Sequence, residues 1–358
     1  MHALVYHEPG RISWDTVPDP AIEAPTDAIV RIDTATVCGS DLHILNGEVP
    51  EVRPGTVLGH EAVGVVTDIG PEVHRTQPGD HVVVSCVSAC GNCVYCRERM
   101  YGQCRGGGGW ILGNQIHGTQ AEYVRVPFSD HSTHRIHDGM HHEDAVLLSE
   151  VLPTAYEVGV RNGHVSPGDH VVVVGAGPVG LATVITAQIY SPRRTVAVDL
   201  SSARLERAAR LGADAAQLPG ELLAELAEGR GADVAVEAAG NPDSFVLCTR
   251  AVRPGGQIAN IGMHGRPAVL HLEAMWRKNL TISTGQVDTF STPLLMNLLT
   301  AGRLHVTDLV THQLALDQAE EAYDMFAHGP ETGTLKVVLR AERNGTHGTG
   351  GDARATLG

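Results

Sequence analysis

The chain has 358 residues, enough for two domains that each bury a core of their own. Its formal charge of -15, with 26 Lys and Arg against 41 Asp and Glu and no basic run, excludes nucleic acid as the natural partner. It contains neither a run of about 20 apolar residues nor a leader-like segment, so no membrane partner is expected and the expected location is cytoplasmic.

In chain order, the first third alternates short β-like runs with Gly, Pro and Asp turns: Ala28 to Ile32, Ala62 to Ile69, His81 to Ser85 and Glu122 to Val126. These predict a β-rich domain. Between the runs lie Cys38-Gly39-Ser40-Asp41-Leu42-His43 and Gly59-His60-Glu61. Either segment alone reads as turn and core residues. Together, Cys38, His60 and a third acidic ligand form a three-ligand zinc set with one open position, as catalytic zinc requires. Glu61 and Glu150 are the acids available for the third place. Ser40 and His43 stand three positions apart, suited to relay a proton to solvent through a cofactor hydroxyl, and Asp41 is placed to orient His60.

Seven cysteines is an odd number, and Cys90, Cys93, Cys96 and Cys104 crowd together as C-x2-C-x2-C-x7-C. One loop can fold four such thiolates around a tetrahedral ion, and with no open position the site is structural. Four thiolates alone do not separate zinc from an iron-sulfur cluster. With the first set, this gives two zinc ions per chain.

From about Pro153 strands alternate with helices: strands Val171 to Val174, Thr195 to Val198, Val234 to Glu237 and Gln257 to Ile261, helices Val179 to Tyr190, Ser202 to Leu211 and Pro242 to Val252. This alternation predicts a parallel doubly wound sheet. The first strand runs into Gly175-Ala176-Gly177-Pro178-Val179-Gly180, the G-x-G-x-x-G context for a dinucleotide pyrophosphate at a helix N-terminus. Asp199 ends the next strand, where it binds ribose hydroxyls and repels a 2'-phosphate, so NAD is the expected cofactor. Arg204 either binds the ribose or a phosphate or caps a solvated helix face. The rhythm breaks after about Gly285, and a helix near Gln318 to Ala327 and a strand at Leu335 to Leu339 close the chain. These shifts set the expected domains: 1–151 completed by 286–340, 152–285 for the dinucleotide, and 341–358 as a disordered tail.

Gly59-His60-Glu61-Ala62-Val63-Gly64, the cysteine cluster and the Gly175 fingerprint resemble the zinc-containing medium-chain alcohol dehydrogenase family over about Met1 to Leu339. The resemblance implies an α/β protein in which a GroES-like β-rich catalytic domain joins a doubly wound Rossmann domain. It implies reversible hydride transfer between a primary or secondary alcohol, or a polyol, and NAD. It makes Cys38 and His60 catalytic zinc ligands and Glu61 an exchangeable one, and sets Glu150 where relatives carry Cys, Asp or Glu, as in polyol and threonine dehydrogenases. It also places Thr154 and Val179 at the nicotinamide, Lys336 near the pyrophosphate, and Cys86, Val87 and Trp110 in the substrate pocket. Relatives pair their Rossmann sheets edge to edge, which implies a homo-oligomer, a tetramer over a dimer, with contact in Arg266 to Val287. Two rivals share parts of this pattern: a non-catalytic NAD- and zinc-binding regulatory protein, and a zinc-free quinone or enoyl reductase, which would lack Cys38, His60 and Glu150 as ligands.

Overall fold

The computed structural model describes residues 1–222 and 229–341. Of the segment expected as a tail, 342–358 lies outside the described residues. Among these residues no helix is long and apolar enough to cross a membrane.

The chain opens on a hairpin that the sequence pattern did not reveal: β1 (His2–Glu8) turns at Pro9-Gly10 into β2 (Arg11–Thr16), with Gly10 at φ +79°. The short β4 (Thr56–Val57) pairs with the free side of β1 and completes a small three-stranded sheet, β2-β1-β4, while β3 (Ala28–Thr36) begins the first of two large sheets. β5 (Ala62–Ile69), β6 (His81–Val84), β7 (Tyr123–Val126) and β8 (Thr133–Arg135) then build on β3. These strands are rich in Val and Ile, whose branched side chains suit a pleated, buried surface.

The second sheet is six-stranded and parallel, in the order β11-β10-β9-β12-β13-β14. Its strands are β9 (His170–Val174), β10 (Arg194–Val198), β11 (Ala215–Gln217), β12 (Ala232–Glu237), β13 (Val252–Asn260) and β14 (Thr281–Thr284). This is the doubly wound order, whose direction reverses between β9 and β12 and opens a ligand crevice at the carboxyl ends there. β9 is buried along its whole length, and the helix Pro178–Ala187 that follows is buried nearly all round, as expected of a helix sandwiched between layers. Residues from β15 (Val310–Ala315) and β16 (Lys336–Arg340) return to the first sheet, with Val338 opposite Thr36 of β3, so that its order is β15-β16-β3-β5-β6-β8 with β7 also on β3.

One core runs between the two sheets, from Val63 and Val83 through Leu147, Leu148 and Leu152 to Val171, Val173 and Leu181. Each such Val or Leu stabilises the fold by about 1.5–3 kcal/mol, so the segment 145–152 is anchored firmly against both layers. A π-helical turn at Ala155–Arg161 follows, and its buried Glu157 accepts N–H bonds from Asp288, Thr289 and Ser291 at 2.8–3.0 Å. That carboxylate ties the helix to the segment returning toward the first sheet. The cleft between the sheets is thereby given fixed walls.

Candidate active site

Three segments far apart in sequence meet at the floor of this cleft. Cys38 precedes the helix Gly39–Leu45, whose start is fixed by Asp41: its Oδ2 accepts the Cys38 N–H at 2.9 Å. His60 follows Gly59, which has φ +91° and leaves 2.6 Å between a hypothetical Cβ and Gln120 Cγ, so only glycine fits there. Glu150 lies within the anchored segment 145–152, between the buried Leu148 and Val151.

Glu150 Oε2 lies 2.9 Å from Cys38 Sγ and 3.1 Å from His60 Nε2. The far side of the imidazole, Nδ1, stands 3.3 Å from Asp41 Oδ1, so Nε2 is the nitrogen left for the cleft. Trp110 meets the ring edge to face, with centroids 5.8 Å apart. Burial, with Glu150 and Glu61 close by, pushes the Cys38 thiol up to about 12. Burial also disfavours a charged His60, but Asp41 and Glu150 outweigh it and hold its pKa well above the usual value. A thiol that does not ionise alone, facing two carboxylates and an imidazole, is a donor set that a divalent cation completes; Cys38, His60, Glu61 and Glu150 have ligand atoms within 4.8 Å of one another.

Lys336 lies in the wall of the same cleft as Gly177 and Pro178. Its side chain is 2% exposed, and its Nζ bonds Val37 O at 3.0 Å and the Glu61 carboxylate at 2.7–2.8 Å, beside the ligand cluster. Burial alone would discharge the ammonium; the Glu61 carboxylate outweighs it and raises the pKa. Removing one partner of such a pair leaves a bare buried charge, at a cost of about 3–5 kcal/mol. Glu61 is thus held by Lys336, while Glu150 faces Cys38 and His60 directly.

Two further residues had no sequence signal. Gln120 donates to Asp41 Oδ2 at 3.3 Å, and Tyr323 O–H donates to Gln120 Oε1 at 2.8 Å, so a buried chain of hydrogen bonds supports the carboxylate behind His60.

Ser40 and His43, the residues expected to relay a proton, lie beside the ligand cluster and toward its exposed side. Ser40 Oγ is 3.2 Å from His60 Nε2, and the part-exposed His43 on the same helix pairs through Nδ1 with Glu48. Ser40 and His43 both line the cleft, which encloses about 490 Å³ and reaches Cys86, Val87, Trp110, Thr154, Pro178 and Val179. Thr154 Oγ1 is buried with no hydrogen-bond partner among the described residues, a polar atom awaiting a ligand. A larger concavity of about 710 Å³ carries Arg193, Arg230 and Arg253, but it lies at the amino ends of the parallel strands, away from the crevice.

On the dinucleotide side, a Cβ on Gly180 would lie 1.8 Å from Gly175 O, so strand and helix approach as closely as the fingerprint requires. Asp199 accepts N–H bonds from Ala176 at 2.7 Å and Ser201 at 2.9 Å, which brings its carboxylate to the glycine loop. The Arg204 guanidinium lies between Gly177 and Gly329, near that loop. Buried Glu237 at the end of β12 accepts from the N–H groups of Ala239 and Gly240 at 2.9 and 2.8 Å, and so shapes the opposite lip; an acid closing a strand was its only sequence trace.

The second thiol group forms a lobe of its own. Cys90, Cys93, Cys96 and Cys104 hold their sulfurs within 4.8 Å of one another, and all are free of disulfides. Backbone N–H groups point at the sulfurs: Cys93 to Cys90, Cys96 and Arg105 to Cys93, Cys90 and Gly106 to Cys104, at 3.4–3.5 Å. The N–H groups of Cys96 and Arg105 hold the Cys93 thiol down to about 6, ready to ligate as thiolate.

Residues 24–138 match the family model for an alcohol dehydrogenase GroES-like domain, and residues 178–297 that for a zinc-binding dehydrogenase. An alcohol dehydrogenase of Cupriavidus necator is 33% identical over 367 residues, covering 95% of this chain and 98% of its own. The chain belongs to the zinc-dependent alcohol dehydrogenases. The solved apo form of zinc dependent alcohol dehydrogenase 2 from Streptococcus pneumonia superposes on this dehydrogenase with a TM-score of 0.92 at 41% identity, covering 97% and 100% of the two chains. An alcohol dehydrogenase of Escherichia coli CFT073, solved with NADH, gives 0.84 at 26% identity, covering 95% and 99%. The dehydrogenase is therefore an oxidoreductase acting on alcohols with zinc and a nicotinamide cofactor, and a non-catalytic regulatory binder is not favoured.

Proposed function

We propose that Cys38, His60 and Glu150 hold the catalytic zinc of this dehydrogenase, with Glu61 kept in reserve by Lys336, and that Cys90, Cys93, Cys96 and Cys104 hold a second, structural zinc. The observation that carries this reading is the approach of Cys38 Sγ and His60 Nε2 to one oxygen of Glu150, at 2.9 and 3.1 Å. When bound, zinc lowers the pKa of the alcohol hydroxyl and the nicotinamide accepts the hydride from the carbinol carbon. Ser40, beside His60 Nε2, takes the hydroxyl proton toward a ribose hydroxyl, and His43 passes it to solvent. Asp41, supported by Gln120 and Tyr323, keeps the His60 ring from turning. Thr154, whose hydroxyl is unpaired, would hold the cofactor together with Pro178 and Val179, which line the same cleft. Val87, Cys86 and Trp110 form the wall against which the alcohol carbon chain packs.

Asp199 favours NAD over NADP, while Gly175, Gly177 and Gly180 seat the pyrophosphate and Arg204 binds the ribose or a phosphate beside them. The carboxylate accepts hydrogen bonds from ribose hydroxyls, whereas a 2'-phosphate would meet like charge. The free edge of β14, with Leu272 62% and Trp276 68% exposed close by, is where copies of the chain pair, in a tetramer; an uncovered apolar edge is a liability in a monomer.

The test is initial-rate alcohol oxidation over a panel of primary alcohols, secondary alcohols and polyols with each dinucleotide. With NAD, kcat/KM is expected to exceed that with NADP by about tenfold or more, the effect of about 1.4 kcal/mol at the ribose. Equal or better use of NADP would remove Asp199 from its role.

A further inference from the structure

We propose that this dehydrogenase carries a third divalent transition-metal site, formed by Asp33, His81 and His142 on the β-rich side and separate from the two thiol-bearing clusters. One ligand atom from each residue lies within 4.8 Å of the other two, and the imidazole centroids are 5.5 Å apart. Asp33 Oδ1 is held by Arg31 at 2.6 Å, but Oδ2 is buried, accepts no hydrogen bond from any described residue, and stands 3.9 Å from His142 Nδ1. The Asp33 side chain is 6% exposed, so this oxygen is withheld from water without a compensating donor, an arrangement that a cation resolves.

The backbone brings these side chains together by a specific device. β3 and β5 shift register between Ile32 and Thr34, with Ile32 opposite Gly64 and Thr34 opposite Val63, so Asp33 is the extra residue of a bulge. Bulges re-aim one side chain out of the alternation of a strand. His81 begins β6, opposite Val65 of the intervening β5, and His142 begins the short helix His142–Ala145. Three separate elements therefore converge.

Two imidazoles and a carboxylate suit Zn2+, Co2+ or Ni2+ rather than Mg2+ or Ca2+, which take oxygen ligands. With three protein ligands and His81 exposed, water completes the coordination and the ion exchanges with solvent. Each of these elements runs on toward the active cleft: β3 into Cys38, β6 into Cys86, and the helix at His142 into the segment that carries Glu150. A bound ion cross-links the three supports of the cleft without touching substrate.

The experiment is calorimetric titration of the zinc-loaded holoenzyme with Zn2+, repeated on His81→Gln, His142→Gln and Asp33→Asn, with Tm measured at each endpoint. The wild type should take up one ion per chain beyond those it holds and gain several degrees in Tm. Each variant should bind about tenfold or more weakly, lose the Tm gain, and keep wild-type alcohol turnover, which shows that it is folded. His81→Gln alters an exposed side chain and keeps the test valid if a more buried variant misfolds. No further uptake by the wild type, or the same isotherm in His81→Gln, overturns the site; uptake with no Tm gain overturns the cross-link.

Discussion

Cys38→Ser should oxidise alcohols about a thousandfold or more slowly than the parent chain while its Tm and its affinity for NADH stay nearly unchanged. The loss corresponds to several kcal/mol of transition-state stabilisation, the scale expected when a Lewis acid is lost or misplaced. Serine offers a hard, weakly acidic oxygen where the site needs a soft thiolate. Folding is spared for reasons visible in the structure. The helix Gly39–Leu45 is started by the Asp41 carboxylate on the Cys38 N–H, which serine keeps, and serine is itself a favoured residue at that position. The glycine loop belongs to the other sheet and does not depend on the thiol. Steady-state rates, fluorescence titration with NADH and thermal melts on the same preparation separate the outcomes, and full activity in Cys38→Ser would remove it from the ligand set.

Cys93→Ser should do the opposite: it should loosen the lobe and lower Tm by about 5 °C or more, with the cleft ligands intact. Residues 90–106 bury little besides Cys96, so an ion must supply what a hydrophobic core supplies elsewhere. Cys93 also caps the turn Val94–Arg97 through its sulfur, which accepts the N–H groups of Cys96 and Arg105. The lobe reaches across the molecule at Gly102, whose N–H bonds Asp288 at 2.9 Å, so its loss is felt at the segment held by Glu157. Brief trypsin treatment reads this out. Cleavage at Arg97, Arg99 and Arg105 is expected in the variant and not in the parent chain; equal resistance in both would mean that the four thiols do not organise the lobe.

The features that could be read in the sequence were local ones. Four thiols on one loop, and a strand, three glycines and an acid in order, announce their chemistry by spacing, because one short segment supplies every donor. The contacts that define the cleft are not local. Lys336 and Glu61 are 275 residues apart and Tyr323 and Gln120 are 203 apart, so nothing in their immediate sequence marked them as partners. Glu61 and Glu150 look alike in sequence for the same reason: both are acids next to apolar residues, and the pairing of Glu61 with the distant Lys336 is what sets their surroundings apart. Misjudged boundaries followed from local chemistry that tertiary pairing overrode. β13 begins at Val252, ahead of the expected Gln257, because Pro254-Gly255-Gly256 looks like a turn; a register shift opposite Ala232 and Val234 absorbs these residues into the strand.

The most direct measurement is zinc content and turnover followed together while a chelator withdraws metal stepwise and zinc is then restored. The expected result is about two tightly held zinc ions per chain, NAD-linked turnover that falls in proportion to loss of the more labile ion, recovery on adding zinc, and NADH binding that persists throughout. Turnover that survives removal of that ion would contradict the assignment of Cys38, His60 and Glu150 as the metal centre of the reaction.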